Sequence, residues 1–249
     1  MSGDAAGIER LPALVDPVRC AAWEAAAASA IESARARGEA RDGWSPTSSS
    51  LRLACVPAFD LAVLLDVVAH PALVAACTRV LGTDDLACSV EQSWWRRQYP
   101  VRAAPAGHHP HGWHQDGALG HDFMARPDGG GPGDVLDMAT CWIALVPCGI
   151  DAPGLELVEG SPRRLLGLGD LDAAERLSEG TAEGTAGTRI RPALSAGDAL
   201  VFGGAVLHRT HVTQRMTRVR TSLELRFFAR ARQPIRLGAD DGYAHPGAR

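Results

Sequence analysis

The chain has 249 residues, 46% of them hydrophobic, with a net charge of −4. That is enough for one large core or two small ones, with no bulk charge for nucleic acid or an anionic membrane. All 25 basic side chains in the Lys+Arg total are arginine, which excludes a pyridoxal Schiff base, a Walker-type phosphate lysine and a lysine general base.

Met1 to Leu14 has no basic start followed by an apolar run, so no secretory leader is expected. Asp16-Pro17 reads as an N-cap followed by proline at the first helical position, opening an alanine-rich helix to about Arg37 that Gly38 ends. Residues 41–50 read as a loop and 51–56 as a short strand. A helical region starts at Asp60, and Pro71 opens a second helix that stops at Gly82. The most apolar stretch, Leu61 to Cys77, is interrupted by Asp66, His70 and Pro71 and is too short and polar for a membrane span. The six cysteines (Cys20, Cys55, Cys77, Cys88, Cys141 and Cys148) form no C-x-x-C pair, so neither a zinc ribbon nor a redox dithiol is expected. A reduced, cytoplasmic protein is the expectation.

From residue 87 the pattern turns to strands. Residues 89–99 are rich in Val, Trp and Tyr. Residues 100–112 read as a loop carrying His108, His109 and His111, and strand-like residues return at Trp113. Gly120 to Asp134 is rich in glycine and proline, a candidate lid. Residues 138–147 form an apolar strand and 155–158 another. Residues 163–187 are a polar excursion with a possible helix at 170–178. Further strands are expected at 189–191, 199–202, 206–213 and 218–228, and the tail after Arg230 is expected to fray. Short strands between Gly/Pro turns point to an all-β barrel or sandwich core.

Within this pattern His114-Gln115-Asp116 carries the chemistry. Residues two apart on a strand share a face, so an imidazole and a carboxylate there can grip one metal ion. Two histidines and one carboxylate make the facial triad of non-haem Fe(II) oxygenases, and the later strand offers two candidates, His208 and His211. Three residues apart, they face opposite sides of a strand. His208 follows the apolar Ala205-Val206-Leu207 and leaves twelve residues to Arg220, enough for a turn and return. In 218–228 the residues alternate: Val219, Thr221, Leu223, Leu225 and Phe227 on one face, Arg220, Ser222, Glu224 and Arg226 on the other. A guanidinium beside a hydroxyl suits a small dicarboxylate. The bland alternative is a solvated face with a Glu224–Arg226 surface pair. Arg218 shares the face of Arg220, and the register with Ser222 favours Arg220.

The order His-x-Asp, Gly-Leu-Glu-Leu-Val-x-Gly-Ser at 154–161, Gly-Asp-Ala-Leu-Val-Phe at 197–202, then a distal His and an Arg resembles the phytanoyl-CoA dioxygenase family, a branch of the Fe(II)/2-oxoglutarate-dependent oxygenases. The resemblance runs from about Trp94 to Phe228. It implies a mainly β fold with flanking helices: a double-stranded β-helix (jelly-roll, cupin-like) core at 86–230, a mostly helical buttress at 1–85, and one domain over 1–249. It implies His114, Asp116 and His208 as iron ligands. Arg220, helped by Ser222, would bind the distal carboxylate of 2-oxoglutarate, with Trp142 and Gln115 also at the cosubstrate site. The implied activity couples decarboxylation of 2-oxoglutarate to succinate and CO₂, using O₂, to hydroxylation of an unactivated C–H of a small molecule. Asp116 argues against halogenation, which needs the carboxylate position vacated; desaturation, epimerisation and ring formation use the same triad. Two other classes remain: a jelly-roll binding module without turnover, and a metal-dependent hydrolase or isomerase, which would not need Arg220. Arg96, Arg97, Arg102 and Arg126 are candidates to meet an anionic group on the substrate. No nucleic acid or membrane partner is expected.

Overall fold

The computed structural model describes residues 7–38, 43–55, 61–119, 124–125, 135–161, 164–166, 188–233, 235–236 and 243–244. Helix α1 (Pro17–Arg37) starts and stops on the signals in its sequence. The Asp16 carboxylate accepts from the Arg19 N–H at 2.9 Å, and Gly38, at φ 64°, donates its N–H back to Arg35. Its buried residues, Cys20, Trp23, Ala27, Ile31 and Ala34, recur every three or four positions and make one stripe. Two shorter helices follow, α2 (Leu61–Val68) and α3 (Pro71–Leu81), the second closed by Gly82 at φ 70°.

The strands are β1 (Ile8–Leu11), β2 (Trp44–Ser45), β3 (Ser50–Arg52), β4 (Leu86–Gln98), β5 (Met124–Ala125), β6 (Ala139–Ala144), β7 (Gly154–Glu159), β8 (Thr188–Ile190), β9 (Ala199–Gly203), β10 (His208–His211), β11 (Arg220–Ala229), β12 (Ile235–Arg236) and β13 (Tyr243–Ala244). The large antiparallel sheet runs β1-β9-β6-β11-β4-β3-β2, with β13 also on β4. The second sheet is β10-β7-β8, and β5 pairs β12.

Period-two alternation in the large sheet separates two cores. One face, with Cys141, Ile143, Val201, Leu223, Leu225 and Phe227, packs against the stripes of α1 and α3 in a single buried cluster. The other face, with Trp142, Ala144, Leu200 and Phe202, meets Leu155 and Leu157 of β7 and Val206 and Leu194. Each fully buried Leu or Phe contributes roughly 1.5–3 kcal/mol. Two sheets facing across an apolar filling, with helices outside the larger one, make the expected mainly β jelly roll with flanking helices. The turn into β9 needs glycine: Gly197 has φ 90°, and a Cβ there would sit 2.0 Å from the Val15 carbonyl oxygen.

Several local expectations differ. The segment at 51–56 is a strand only through Arg52 and then a 3-10 turn (Leu53–Cys55). β1 and β2 are too short and too mixed in polarity to signal themselves, yet they edge the large sheet, so residues before 86 supply strands as well as helices. The expected strand at Trp113 reduces to one bridge, His114 to His208, followed by a 3-10 turn (Asp116–Leu119). The possible helix at 170–178 and Arg126 lie outside the described residues, as does the lid segment beyond Leu119 except for β5.

Candidate metal centre

The inner face of β11 presents Arg220, Ser222, Glu224 and Arg226 in sequence, all buried. Register places Ser222 beside Ala144, Glu224 beside Trp142 and Arg226 beside Thr140 on one flank, and Arg220 beside Gln98 and Ser222 beside Arg96 on the other. A bulge in β4 puts Trp94 opposite Glu224 but Ser89 opposite Arg226. The bare notion of a solvated Glu224–Arg226 face fails here: both side chains lie between the two sheets.

His114 and His208 are held side by side because each is the other's backbone partner, with N–H···O bonds of 2.9 and 3.0 Å. Their rings lie 4.2 Å apart. Each Nδ1 meets a nearby carbonyl, Gly112 O at 2.7 Å for His114 and Val206 O at 2.9 Å for His208. Those carbonyls accept from Nδ1–H, so in both rings Nε2 is left with its lone pair, the tautomer a metal needs. Burial, then the neighbouring His208, lowers the His114 pKa to about 4, so the ring is neutral at physiological pH. Asp116 follows in the 3-10 turn, which tucks against Gly204 through the Gly117 N–H. A Cβ at Gly117 would stand 2.2 Å from Val135 Cγ1, so only glycine allows that packing.

The Asp116 carboxylate lies 3.7 Å from each Nε2, Oδ1 facing His114 and Oδ2 facing His208. The three ligand atoms fall within 4.8 Å of one another. Cis ligands at ~2.1 Å from a metal sit ~3.0 Å apart, and each carboxylate–imidazole pair lies within an ångström of that spacing. The donor set, two imidazoles and a carboxylate, is the one a facial triad uses and fits Fe(II). His211, by contrast, points away: it is half-exposed, near Arg191, Glu156 and Arg209 on the other side of the small sheet.

Asp116 does not stand alone. Arg226 grips it with both terminal nitrogens, Nη1 to Oδ2 at 2.6 Å and Nη2 to Oδ1 at 3.0 Å, and the Thr140 hydroxyl donates to Oδ2 at 2.7 Å. Burial alone would raise the Asp116 pKa; Arg226, then the two histidines and Thr140, outweigh it and hold the carboxyl well below the usual range. Arg226 Nη2 also donates to Glu224 at 3.0 Å, and Glu224 pairs with Arg96 at 2.6 Å, an ion pair whose Nε–H is poorly aligned for a hydrogen bond. Arg96 reaches on to Ser50 at 3.0 Å and to His111 at 2.6 Å. This alternating array was not anticipated. Its signal was present in the inward register of Glu224 and Arg226, which only a buried partner on another strand can balance.

Further along β11, Arg220 is 1% exposed. Its Nε donates to the Pro153 carbonyl at 3.3 Å and its Nη1 to Ser222 at 2.6 Å, while the guanidinium lies 5.0 Å from the centre of the Trp142 ring. Burial lowers its pKa to about 10, so it stays charged at neutral pH. Among the described residues no carboxylate comes within ion-pairing distance of it. The neighbouring buried Gln98 Oε1, His108 Nε2 and Trp142 Nε1 also lack hydrogen-bond partners there. An isolated buried cation with polar atoms left open beside it fits an external carboxylate, as 2-oxoglutarate would supply. Arg218 is exposed and takes no part.

Gln115 is placed differently from expectation. It faces away from the histidines, with Nε2 donating to the Arg164 and Ala205 carbonyls and Oε1 accepting from Leu166 N–H. Both its amide N–H donors are committed to backbone, which leaves none for a cosubstrate carboxylate. Of the arginines considered for a substrate anion, Arg96 is paired with Glu224, Arg97 lies on the outer face with Glu24 and Glu32, and Arg102 is exposed.

A cavity of about 290 Å³ opens beside Asp116 and Arg226, lined also by Arg96, His111, Trp94, Gln92, Leu136, Met138 and the serines at 45, 48 and 50. A larger one, about 600 Å³, lies along β1 and Gly203–Ala205 and touches none of the side chains of His114, Asp116 and His208, so the smaller is the one that matters for chemistry at Asp116.

Comparison with known proteins agrees with this architecture. The family model described as phytanoyl-CoA dioxygenase (PhyH) matches residues 4–218. EctD from S. alaskensis, solved with 2-oxoglutarate and 5-hydroxyectoine, is 17% identical with a TM-score of 0.64, over 91% of this chain and 73% of that one. AviO1 from Streptomyces viridochromogenes Tue57 is 19% identical with a TM-score of 0.60, over 92% of each chain. SnoN, a non-heme alpha ketoglutarate dependent epimerase from nogalamycin biosynthesis, is 16% identical with a TM-score of 0.58, over 89% of this chain and 77% of that one. At such identities the likeness is one of fold. A search of curated proteins finds no match.

Proposed function

The chain belongs to the phytanoyl-CoA dioxygenase family, and we propose from that premise that it is an Fe(II)/2-oxoglutarate-dependent oxygenase acting on a small molecule. The observation that carries this is the convergence of His114 Nε2, His208 Nε2 and the Asp116 carboxylate beside a cavity, with each other polar atom of the three committed elsewhere. Iron(II) with 2-oxoglutarate and O₂ supplies oxidation of an unactivated C–H, with release of succinate and CO₂.

The chain's own residues then have separate tasks. His114, Asp116 and His208 hold the metal from one side and leave the opposite side open. Arg220 and Ser222 take the distal carboxylate of 2-oxoglutarate against the Trp142 ring, which orients the cosubstrate and keeps water from it. The cavity walls at Trp94, Leu136 and Met138 exclude water around the reacting carbon. Hydroxylation is the reaction we propose first; desaturation, epimerisation and ring formation need no different ligand set. The intact carboxylate at Asp116 disfavours halogenation. No helix among the described residues is long and apolar enough to cross a membrane, and we propose a cytoplasmic location and a single domain over 1–249.

The test is succinate formation from 2-oxoglutarate with Fe(II), O₂ and ascorbate, alongside thermal melts. We expect slow uncoupled turnover, and a rise in melting temperature when 2-oxoglutarate is added to metal-loaded protein. No succinate together with an unchanged melt would remove the oxygenase reading in favour of a binding module.

A further inference from the structure

Given the oxygenase reading above, on which this rests, we propose that His108 is a further residue of the cosubstrate site. Its Nε2–H, fixed as a donor by Ser49 and Arg35, joins Arg220 and Ser222 in holding the distal carboxylate of 2-oxoglutarate. The direction of the hydrogen bonds sets that proton. Arg35, in the last turn of α1, donates from Nη2 to Ser49 Oγ at 2.6 Å. Ser49 is wholly buried, so its own hydroxyl hydrogen needs an acceptor, and among the described residues the one in reach is His108 Nδ1, 2.9 Å away. A guanidinium cannot accept, so donation runs one way, from Arg35 to Ser49 to His108. A neutral imidazole that accepts at Nδ1 carries its hydrogen on Nε2. Burial, then the Arg35 charge, keeps the ring neutral. His108 is 8% exposed, and its Nε2 has no hydrogen-bond partner among the described residues.

The surroundings hold the donor in place. Ser49 has φ 50°, a left-handed conformation that few residues other than glycine enter, in the turn between β2 and β3. Such strain persists only where neighbours over-determine it. The same turn ties two segments together: His109 N–H donates to the Thr47 carbonyl at 2.7 Å, and Gln98 Nε2 donates to the Ser48 carbonyl at 2.9 Å. Gln98 is the register partner of Arg220, and the Arg220 charge reaches the His108 ring. Tyr99 meets that ring edge-on at 5.1 Å, with the Arg35 guanidinium 5.0 Å from the Tyr99 ring centre, so the imidazole is packed on more than one side. An open donor beside a buried cation that no carboxylate pairs among the described residues calls for an anion. Because the ring is neutral, it adds a directed bond without a second full charge, and one carboxylate balances Arg220 alone.

The experiment uses the full-length protein loaded with Zn(II), a redox-silent stand-in for iron. Calorimetry compares 2-oxoglutarate with 2-oxopentanoate, which keeps the keto acid end and chain length but has a methyl group in place of the distal carboxylate. Wild type stands beside His108→Phe, which keeps a ring and loses the donor, and His108→Gln, which keeps an N–H at about the same reach. His108→Phe should weaken 2-oxoglutarate roughly 10- to 100-fold, the worth of one hydrogen bond to a charged group. Zn(II) and 2-oxopentanoate affinities should stay within a factor of a few, and His108→Gln should recover most of the loss. A ¹⁵N spectrum of the wild-type histidines should show His108 protonated on Nε2, with a resonance that 2-oxoglutarate shifts and 2-oxopentanoate does not. Unchanged 2-oxoglutarate affinity in a folded His108→Phe overturns the proposal. So does a loss shared by 2-oxopentanoate or undiminished in His108→Gln, or a proton on Nδ1. If neither variant folds, the wild-type spectrum decides: a resonance that both acids shift alike, or that neither shifts because Nε2–H turns to Gln98 Oε1, overturns it. A wild type that binds Zn(II) but not 2-oxoglutarate removes the oxygenase reading itself, and the role of His108 with it. A wild type that binds both, with variants of unaltered affinity, removes the role of His108 alone.

Discussion

His208 and His211 share one short strand and have opposite environments. Alternation turns His208 into the space between the sheets, 5% exposed, and His211 out toward Arg191 and Glu156. His208→Ala should therefore weaken Fe(II) or Co(II) binding by more than the roughly 10–100-fold that loss of an outer-sphere partner costs. His211→Ala should leave it within a factor of a few. Anaerobic calorimetric titration distinguishes the two, and a reversed pattern would dismantle the triad as assigned. Arg220 makes a second residue-level case. Its buried charge has hydrogen bonds to a carbonyl and a hydroxyl but no carboxylate among the described residues. Two charge-assisted bonds to a cosubstrate carboxylate are worth roughly 1.5–3 kcal/mol each. Arg220→Ala should raise KM for 2-oxoglutarate at least about 100-fold, with metal affinity unchanged. Equal KM values in wild type and variant would place 2-oxoglutarate elsewhere.

At the scale of elements, β11 explains both what was legible and what was not. Its strict alternation let the sequence be split into an apolar face and a polar face, and the structure keeps that split: Leu223, Leu225 and Phe227 against the helices, Arg220 to Arg226 inward. The same periodicity said that His208 and His211 could not both face inward, and the Asp16-Pro17 and Pro71 starts marked α1 and α3. What alternation does not encode is which distant strand completes each face. A solvated Glu224–Arg226 pair stood as the bland alternative because the balancing groups, Asp116, Thr140 and Arg96, come from three other segments. Gln115 was misjudged for the same reason, since its partners are backbone atoms some fifty and ninety residues away. The bridge-and-turn geometry at 114–116 differs from a strand, yet brings the His114 and Asp116 side chains together as a strand would have. If the two faces of β11 are independent, Phe227→Ala should cost about 3–5 kcal/mol of stability by leaving a cavity under the helices. Below its lowered melting temperature it should retain the 2-oxoglutarate KM of the wild type. Denaturant titration and steady-state turnover check each half, and a shifted KM would mean that the helix layer and the site are coupled through the strand.

The whole molecule carries several buried or half-buried ionisable groups, and their balance sets how it responds to acid. Burial, then Arg35, lowers the His108 pKa to about 4, and burial, then Arg96, lowers that of His111 to about 2. Unfolded, a histidine takes up its proton near pH 6.5. Both rings are neutral in the fold, so their contribution to stability is complete above pH 6.5. As pH falls from there the unfolded chain binds protons that the folded chain refuses, and stability declines by roughly 1.4 kcal/mol per pH unit for each such ring. The carboxylates act later. Burial would raise Glu156, but hydrogen bonds from Arg191 and Arg209 hold it low; Asp198 is likewise held low, against burial, by backbone N–H groups and Arg10. Their stabilisation is present above the unfolded carboxylate range and is lost only as pH drops through it. The metal-free protein should accordingly melt at a constant temperature between about pH 7 and 8, begin to lose stability near pH 6.5, and lose it more steeply below about pH 4.5. His108→Asn should make the first part of that decline shallower without abolishing it, since His111 and His114 still resist protonation, and leave the second in place. A wild-type melting temperature that holds constant down to pH 4.5 would mean the histidines are not buried as neutral rings, and that the loop bearing His108 and His111 does not close over Arg96 and Tyr99 in solution.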